Sequence, residues 1–121
     1  MKAILKELIS LELEENLEEY LPDDPANFGT WVRMMIGPEN EIGAESFDIF
    51  ICTPIWLNKE YSERKISWGR NMLIVFEYNL NEIRSYINKY VESCNADDWH
   101  SLAVKLSRVG AWEFENYIHS N

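Results

Sequence analysis

Two stretches of alternating apolar residues, separated by a turn-rich segment, constrain the fold of this chain most strongly. The alternation runs over residues 27–36 and again over residues 46–53. A period of two is typical of a β-strand with one buried face. Residues 37–43, Gly-Pro-Glu-Asn-Glu-Ile-Gly, are dense in turn formers. The pattern therefore predicts a β-hairpin whose first strand turns one side to the core, namely Phe28, Thr30, Val32, Met34 and Ile36.

The segment after the hairpin predicts a short helix, a loop and a further strand. Pro54 cannot donate to a strand ladder, so it closes the second strand. We expect a short helix over residues 55–61 and a polar loop over 62–71. Residues 72–78, Met-Leu-Ile-Val-Phe-Glu-Tyr, are almost continuously apolar. Such a run predicts a central strand that is buried on both faces.

The last third of the chain has helical spacing. Asn79 is followed three residues later by Glu82 in a capping-box pattern, and this predicts a helix over residues 80–94. A second helix is expected over residues 97–109, with Gly110 as the residue that ends it. A last short helix is expected over residues 112–118.

The first 21 residues allow two interpretations. Apolar residues recur at helical spacing from Ile4 to Leu21, and the segment is rich in Glu, so periodicity alone favours a helix. A strand over residues 2–10 is the competing interpretation.

The charge of the chain is large and unevenly distributed. The 121 residues carry 21 Asp and Glu against 11 Lys and Arg, for a net charge of -10. Residues 1–26 alone hold eight acids and two bases, a net of -6. Such a protein repels nucleic acid and anionic membranes and attracts cationic partners. No linker, long apolar run or secretory pattern is present, so we expect one cytoplasmic domain spanning residues 1–121.

The residues that could support catalysis or metal binding form no convincing site. Cys52 and Cys94 lie among apolar neighbours and are expected to be buried free thiols. Asp97, Asp98 and His100 are close in sequence, but the sequence positions no further ligand beside them. We expect no catalytic residues, no metal and no cofactor.

Several segments together resemble the immunity protein 8 family of bacterial polymorphic toxin systems. In the first half these are residues 23–29 (Asp-Asp-Pro-Ala-Asn-Phe-Gly), residues 35–38 (Met-Ile-Gly-Pro) and residues 45–54 with Trp56-Leu57. In the second half they are residues 73–78, 90–94, 105–108 and 112–115. The similarity extends from about Asp23 to Tyr117. It implies a protein that binds and blocks a cognate toxin domain, and a first strand in place of the helix that periodicity favours.

The predicted fold class is α+β, with an antiparallel sheet of about four strands and two to three C-terminal helices packed on one face. The predicted partner is the C-terminal domain of a toxin, with a cationic nuclease as the expected kind, and the protein is expected to be a monomer or weak dimer. Candidate toxin-binding residues are the acids and two aromatic residues, namely Glu14, Glu15, Glu18, Glu19, Asp23, Asp24, Glu39, Glu41, Trp56 and Trp68. The alternative is an acidic DNA mimic or adaptor that binds a host nucleic-acid enzyme.

Overall fold

The computed structural model describes residues 1–115. Within them the strands are β1 (Ala3–Ser10), β2 (Gly29–Pro38), β3 (Glu45–Cys52), β4 (Met72–Ile74) and β5 (Ala111–Trp112). The helices are α1 (Pro54–Tyr61), α2 (Leu80–Ser93) and α3 (Trp99–Leu106), and a 3₁₀ turn, Ser62–Arg64, follows α1. The sheet order is β1-β2-β3-β4, and β5 also pairs with β3. The predicted α+β class is confirmed.

The predicted hairpin is the centre of the sheet. β2 and β3 pair antiparallel from Gly29 opposite Cys52 to Ile36 opposite Glu45. The face predicted for the first strand is buried, since Phe28, Val32, Met34 and Ile36 belong to the hydrophobic core. Phe47 and Ile49 of β3 belong to the same core.

The first segment is a strand, so the helix that periodicity favours is wrong and the strand implied by the family resemblance is confirmed. β1 pairs antiparallel with β2, and a bulge interrupts the register between Leu5 and Glu7. Because one extra residue enters there, Leu5 and Leu8 lie opposite Ile36 and Met34 and face the same side of the sheet. A spacing of three between two core residues imitates a helix, and this is why the periodicity misleads.

The predicted central strand over residues 72–78 is also wrong. β4 contains only Met72–Ile74 and pairs parallel with the end of β3, at the edge of the sheet. Ile74 is 51% exposed and Phe76 is 78% exposed, so this run is not buried on both faces. β4 is short because its partner β3 ends at Cys52: the two strands run parallel, so residues 75–78 would lie beyond β3, where α1 begins at Pro54.

The two C-terminal helices cover the core face of the sheet. The side chain of Asn79 accepts a hydrogen bond from the backbone N–H of Glu82, as the capping pattern predicts, and α2 follows. α3 is shorter than the predicted 97–109. Asp98 is its N-cap, so the helix begins at Trp99, and it ends at Leu106. Both helices bury one stripe, made of Ile83, Ile87, Val91, Leu102, Ala103 and Leu106.

Gly110 does not end a helix, which corrects the prediction. It lies directly before β5 and its Cα faces the core, where an added Cβ would lie 2.7 Å from Met34 Cε and 3.0 Å from Phe47 Cβ. The predicted helix over residues 112–118 is wrong through residue 115, because Trp112 is in β5 and a turn follows it. The rest of that predicted helix lies outside the described residues.

Gly110→Ala is predicted to destabilise the protein by about 1–3 kcal/mol, because the new methyl group overpacks Met34 and Phe47. Gly69→Ala is the matched control, since its nearest neighbour would be Met72 Sδ at 4.0 Å. Urea denaturation of both variants measures the difference. Equal midpoints for the two variants would contradict the close packing at Gly110.

Candidate binding surface

The acidic N-terminal segment, residues 11–27, is neither helix nor strand, but side chains fix its turns. The Ser10 hydroxyl accepts from the N–H of Leu13 at 3.0 Å, and Asn16 Oδ1 accepts from the N–H of Glu19 at 3.0 Å. Asp24 Oδ1 accepts from the N–H of Ala26 at 2.9 Å. Short polar side chains of this kind stabilise local turns in place of secondary structure.

An aromatic cluster attaches this segment to the body of the protein. Tyr20, Phe28 and Tyr78 meet edge to face, with ring centroids 5.1–6.4 Å apart. Tyr78 donates its hydroxyl proton to the carbonyl oxygen of Leu17 at 2.8 Å, and the Leu17 side chain is buried. Burial raises the pKa of Tyr78 to about 12, so this donor stays protonated at neutral pH. The backbone that carries the acids between these contacts is therefore held in place.

A cleft with a volume of about 700 Å³ lies between β1 and the N-terminal segment, and it is here called the acidic cleft. Residues 5–10 of β1 and residues 13–18 line it, and α2 contributes Arg84 and Asn88. Arg84 Nη2 lies 3.0 Å from Glu18 Oε1 in an ion pair between two partly exposed side chains. The acids that line the cleft are Glu7, Glu14, Glu15 and Glu18.

A second groove, of about 450 Å³, is here called the Trp56 groove. The N-terminal segment lines the acidic cleft with residues up to Glu18 and lines this groove with residues from Tyr20 onward. It is lined by Asp23 and Asp24, by Trp56 of α1, and by Leu21, which is 85% exposed. Trp56 is half-buried and packs beside Phe50 with ring centroids 5.1 Å apart. The groove thus combines two carboxylates with an accessible aromatic surface.

The hydroxyl of Thr53 fixes the position of α1 in the Trp56 groove. Thr53 Oγ1 accepts from the backbone N–H of Trp56 at 3.3 Å and from that of Phe28 at 3.2 Å. The same side chain therefore caps α1 and joins it to the start of β2. Gly29 allows the close approach, because a Cβ there would lie 2.7 Å from the Trp56 ring.

The structure divides the ten predicted site residues among several places. Glu14, Glu15 and Glu18 line the acidic cleft, and Asp23, Asp24 and Trp56 line the Trp56 groove. Glu19 is exposed on the same segment.

Glu39 and Glu41 follow the far end of β2, whose ten residues span about 30 Å. Lys6 Nζ donates to the carbonyl oxygens of Glu41 and Gly43 there. Trp68 is 92% exposed on the loop between α1 and β4.

Glu7 is the site residue that sequence reasoning missed. It lies in β1, and its carboxylate joins the N-terminal acids only because the chain folds back along that strand. The run Glu-Leu-Glu-Glu at residues 12–15 is visible in the sequence, but a single Glu within an apolar stretch carries no comparable signal.

The residues that the sequence offers for catalysis or metal binding, Cys52, Asp98 and His100, have structural roles in the fold. Cys52 is fully buried, and desolvation raises the pKa of its thiol to about 11. Asp98 accepts from the backbone N–H of Ser101 at the start of α3, which lowers its pKa. The ring of His100 packs against Trp112 with centroids 5.8 Å apart. Among residues 1–115, no three His, Cys, Asp or Glu side chains are grouped to hold a metal ion.

The chain belongs to the immunity protein 8 family, whose model matches residues 4–117. A search of curated proteins and a search of solved structures each found no significant match. In the part of the chain that the structure describes, no helix has the length and apolar character to cross a bilayer. Membership of this family implies a toxin as the partner, so the acidic cleft and the Trp56 groove are candidate surfaces for it.

The Cys52 thiol is predicted to be unreactive in the folded protein. In a Cys94→Ala variant, in which only Cys52 remains, a disulfide reagent at pH 8 should react at least ~100-fold more slowly than in denaturant. Raising the thiol pKa from 9.0 to about 11 alone lowers the thiolate fraction about 100-fold. Equal rates in the folded and unfolded protein would contradict the structural role of this residue.

Proposed function

We propose that this protein neutralises a cationic toxin domain, of the nuclease type, by binding it one to one as a monomer in the cytoplasm. Family membership supports a toxin as the partner. No substrate is transformed in this proposal, and the buried, protonated thiol of Cys52 agrees with a binding role. The observation that carries the proposal is the acidic cleft with its four carboxylates.

The argument for a nuclease rests on charge. An enzyme that binds a polyanion needs a cationic surface, because most of its affinity for nucleic acid comes from phosphate contacts. Glu7, Glu14 and Glu15 make no ion pair within residues 1–115, so their charges are available to such a surface. An inhibitor with this field is steered to its partner, and association then approaches roughly 10⁸ M⁻¹s⁻¹ at low salt.

Steering sets the rate of association, whereas affinity needs an apolar contact that is desolvated in the complex. The Trp56 groove offers one, since Trp56 of α1 and the exposed Leu21 line it together with Asp23 and Asp24. We propose the acidic cleft as the electrostatic part of the interface and the Trp56 groove as its apolar anchor. Trp68, Glu39 and Glu41 line neither surface and have no role in this proposal.

The first test is co-expression of the chain with the product of the adjacent upstream gene, followed by co-purification. A one-to-one complex that lacks toxin activity is expected. Cells that die equally with and without the chain when the toxin is produced would overturn the proposal, as would turnover of a substrate by the purified chain.

The double variant Glu14→Lys/Glu15→Lys is predicted to associate with the toxin domain at least about tenfold more slowly at low salt, because it inverts the charge of the cleft. Glu60→Lys/Glu63→Lys is the matched control: these acids lie at the end of α1 and in the following turn, and each double variant changes the net charge of -10 equally. We expect the control to slow association less than about threefold. Stopped-flow rates at two salt concentrations measure both effects, and equal slowing by the two variants would exclude the acidic cleft.

A further inference from the structure

β1 has one paired edge and one free edge. β2 pairs along the first edge from Ala3 to Ser10. On the other side, the only strand-like pairing in the described part of the chain is an isolated bridge between Lys2 and Asn95, flanked by hydrogen bonds between Met1 and Ala96, before the strand begins. From residue 5 onward, the free edge forms a wall of the acidic cleft.

The register shows which backbone groups point into the cleft. The backbone N–H of Leu11 donates to the carbonyl oxygen of Trp31, just beyond the Ile9–Arg33 pair. In an antiparallel ladder, hydrogen-bonded and non-bonded pairs alternate. The backbone N–H and C=O groups of Glu7 and Ile9 therefore form hydrogen bonds with β2. Those of Leu8 point the other way, toward the free edge.

A buried backbone donor or acceptor without a partner is costly, so a free edge inside a cleft needs either water or another strand. Beyond the bulge, residues 7–10 keep an unbroken register and extend about 13 Å, long enough for about four residues of an added strand. β4 is a poorer template, because it has three residues and lies at an edge that β5 shares.

The charges around the free edge of β1 indicate which kind of strand would pair with it. Glu7 lies in β1 itself, and Glu14 and Glu15 line the same cleft. Lys6 also lines it, but its ammonium group donates to the carbonyl oxygens of Glu41 and Gly43. A second copy of this chain would bring the same acids against them, and like charges across a strand pair are destabilising. A strand with Lys or Arg side chains instead meets three carboxylates that have no ion-pair partner within residues 1–115.

We propose that β1 is a strand-addition site, at which an extended basic segment of the toxin domain pairs with its free edge. This inference rests on the proposed function and deepens it, since it specifies which backbone groups of β1 pair with the toxin segment. Main-chain hydrogen bonds to Leu8 hold the segment, and its cationic side chains bind Glu7, Glu14 and Glu15. Arg84 remains paired with Glu18 beside it.

Amide hydrogen exchange by NMR tests the geometry. The probe is the catalytically inactivated toxin domain encoded by the adjacent upstream gene. We expect the Leu8 amide to exchange at least about tenfold more slowly in the complex than in the free protein, because it gains a hydrogen bond. The amides of Glu7 and Ile9, which bond to β2 in both states, are the internal controls. A complex in which Leu8 exchanges at its free rate overturns strand addition and leaves the proposed function intact, whereas the absence of any complex overturns both.

A backbone modification provides the second test. Native ligation at Cys52 allows residues 1–51 to be synthesised with N-methyl-Leu8, which keeps the buried side chain and blocks only the outward N–H. We expect its Kd for the same toxin domain to rise at least about tenfold relative to the unmodified semisynthetic protein. Circular dichroism checks that both proteins fold. A change in Kd of less than about threefold in a folded N-methyl protein would overturn the proposal.

Discussion

The pairing of β2 with β3 over a fully buried face is the interaction on which the rest of the structure depends. Met34, Ile36 and Phe47 are almost completely inaccessible to solvent, and each such side chain contributes about 1.5–3 kcal/mol through burial. This face receives α2 and α3, and β2 in turn provides the edge on which β1 pairs. The acidic cleft exists because β1 is fixed there and the following segment folds back along it.

The sequence predicts the parts of the fold in which local pattern and tertiary environment agree. The hairpin and α2 are of this kind, since alternation marks the strands and Asn79 caps the helix. Periodicity misassigns β1, which only the family resemblance predicts, because a bulge of one residue places Leu5 and Leu8 on one face and so imitates a helical period. β4 is shorter than predicted because hydrophobicity along residues 72–78 does not reveal that its parallel partner β3 ends at Cys52.

The candidate site is predictable to the extent that it is contiguous in the chain. Glu14, Glu15 and Glu18 share one segment and also share one cleft. The contribution of Glu7 requires the fold of β1, and that of Trp56 requires the contact of Thr53 with Phe28. Glu39 and Glu41 carry the same charge as the other acids, but they line neither surface, and the length of β2 separates them from the Gly29 end, which lines the Trp56 groove. Charge composition alone therefore does not show which of the acids share one surface.

A strand-addition interface also accounts for how one acidic protein can be specific among cationic partners. Charge alone attracts any basic surface, so it accelerates association without discriminating strongly among such surfaces. Strand pairing adds a register, and a slip of one residue turns every side chain of the added strand to the opposite face. If the basic residues of a toxin strand lie on the face opposite to Glu7 in the paired register, their cations cannot reach its carboxylate. In the proposed interface, specificity therefore depends on where the charges lie along β1, and the net charge of -10 mainly sets the speed of the encounter.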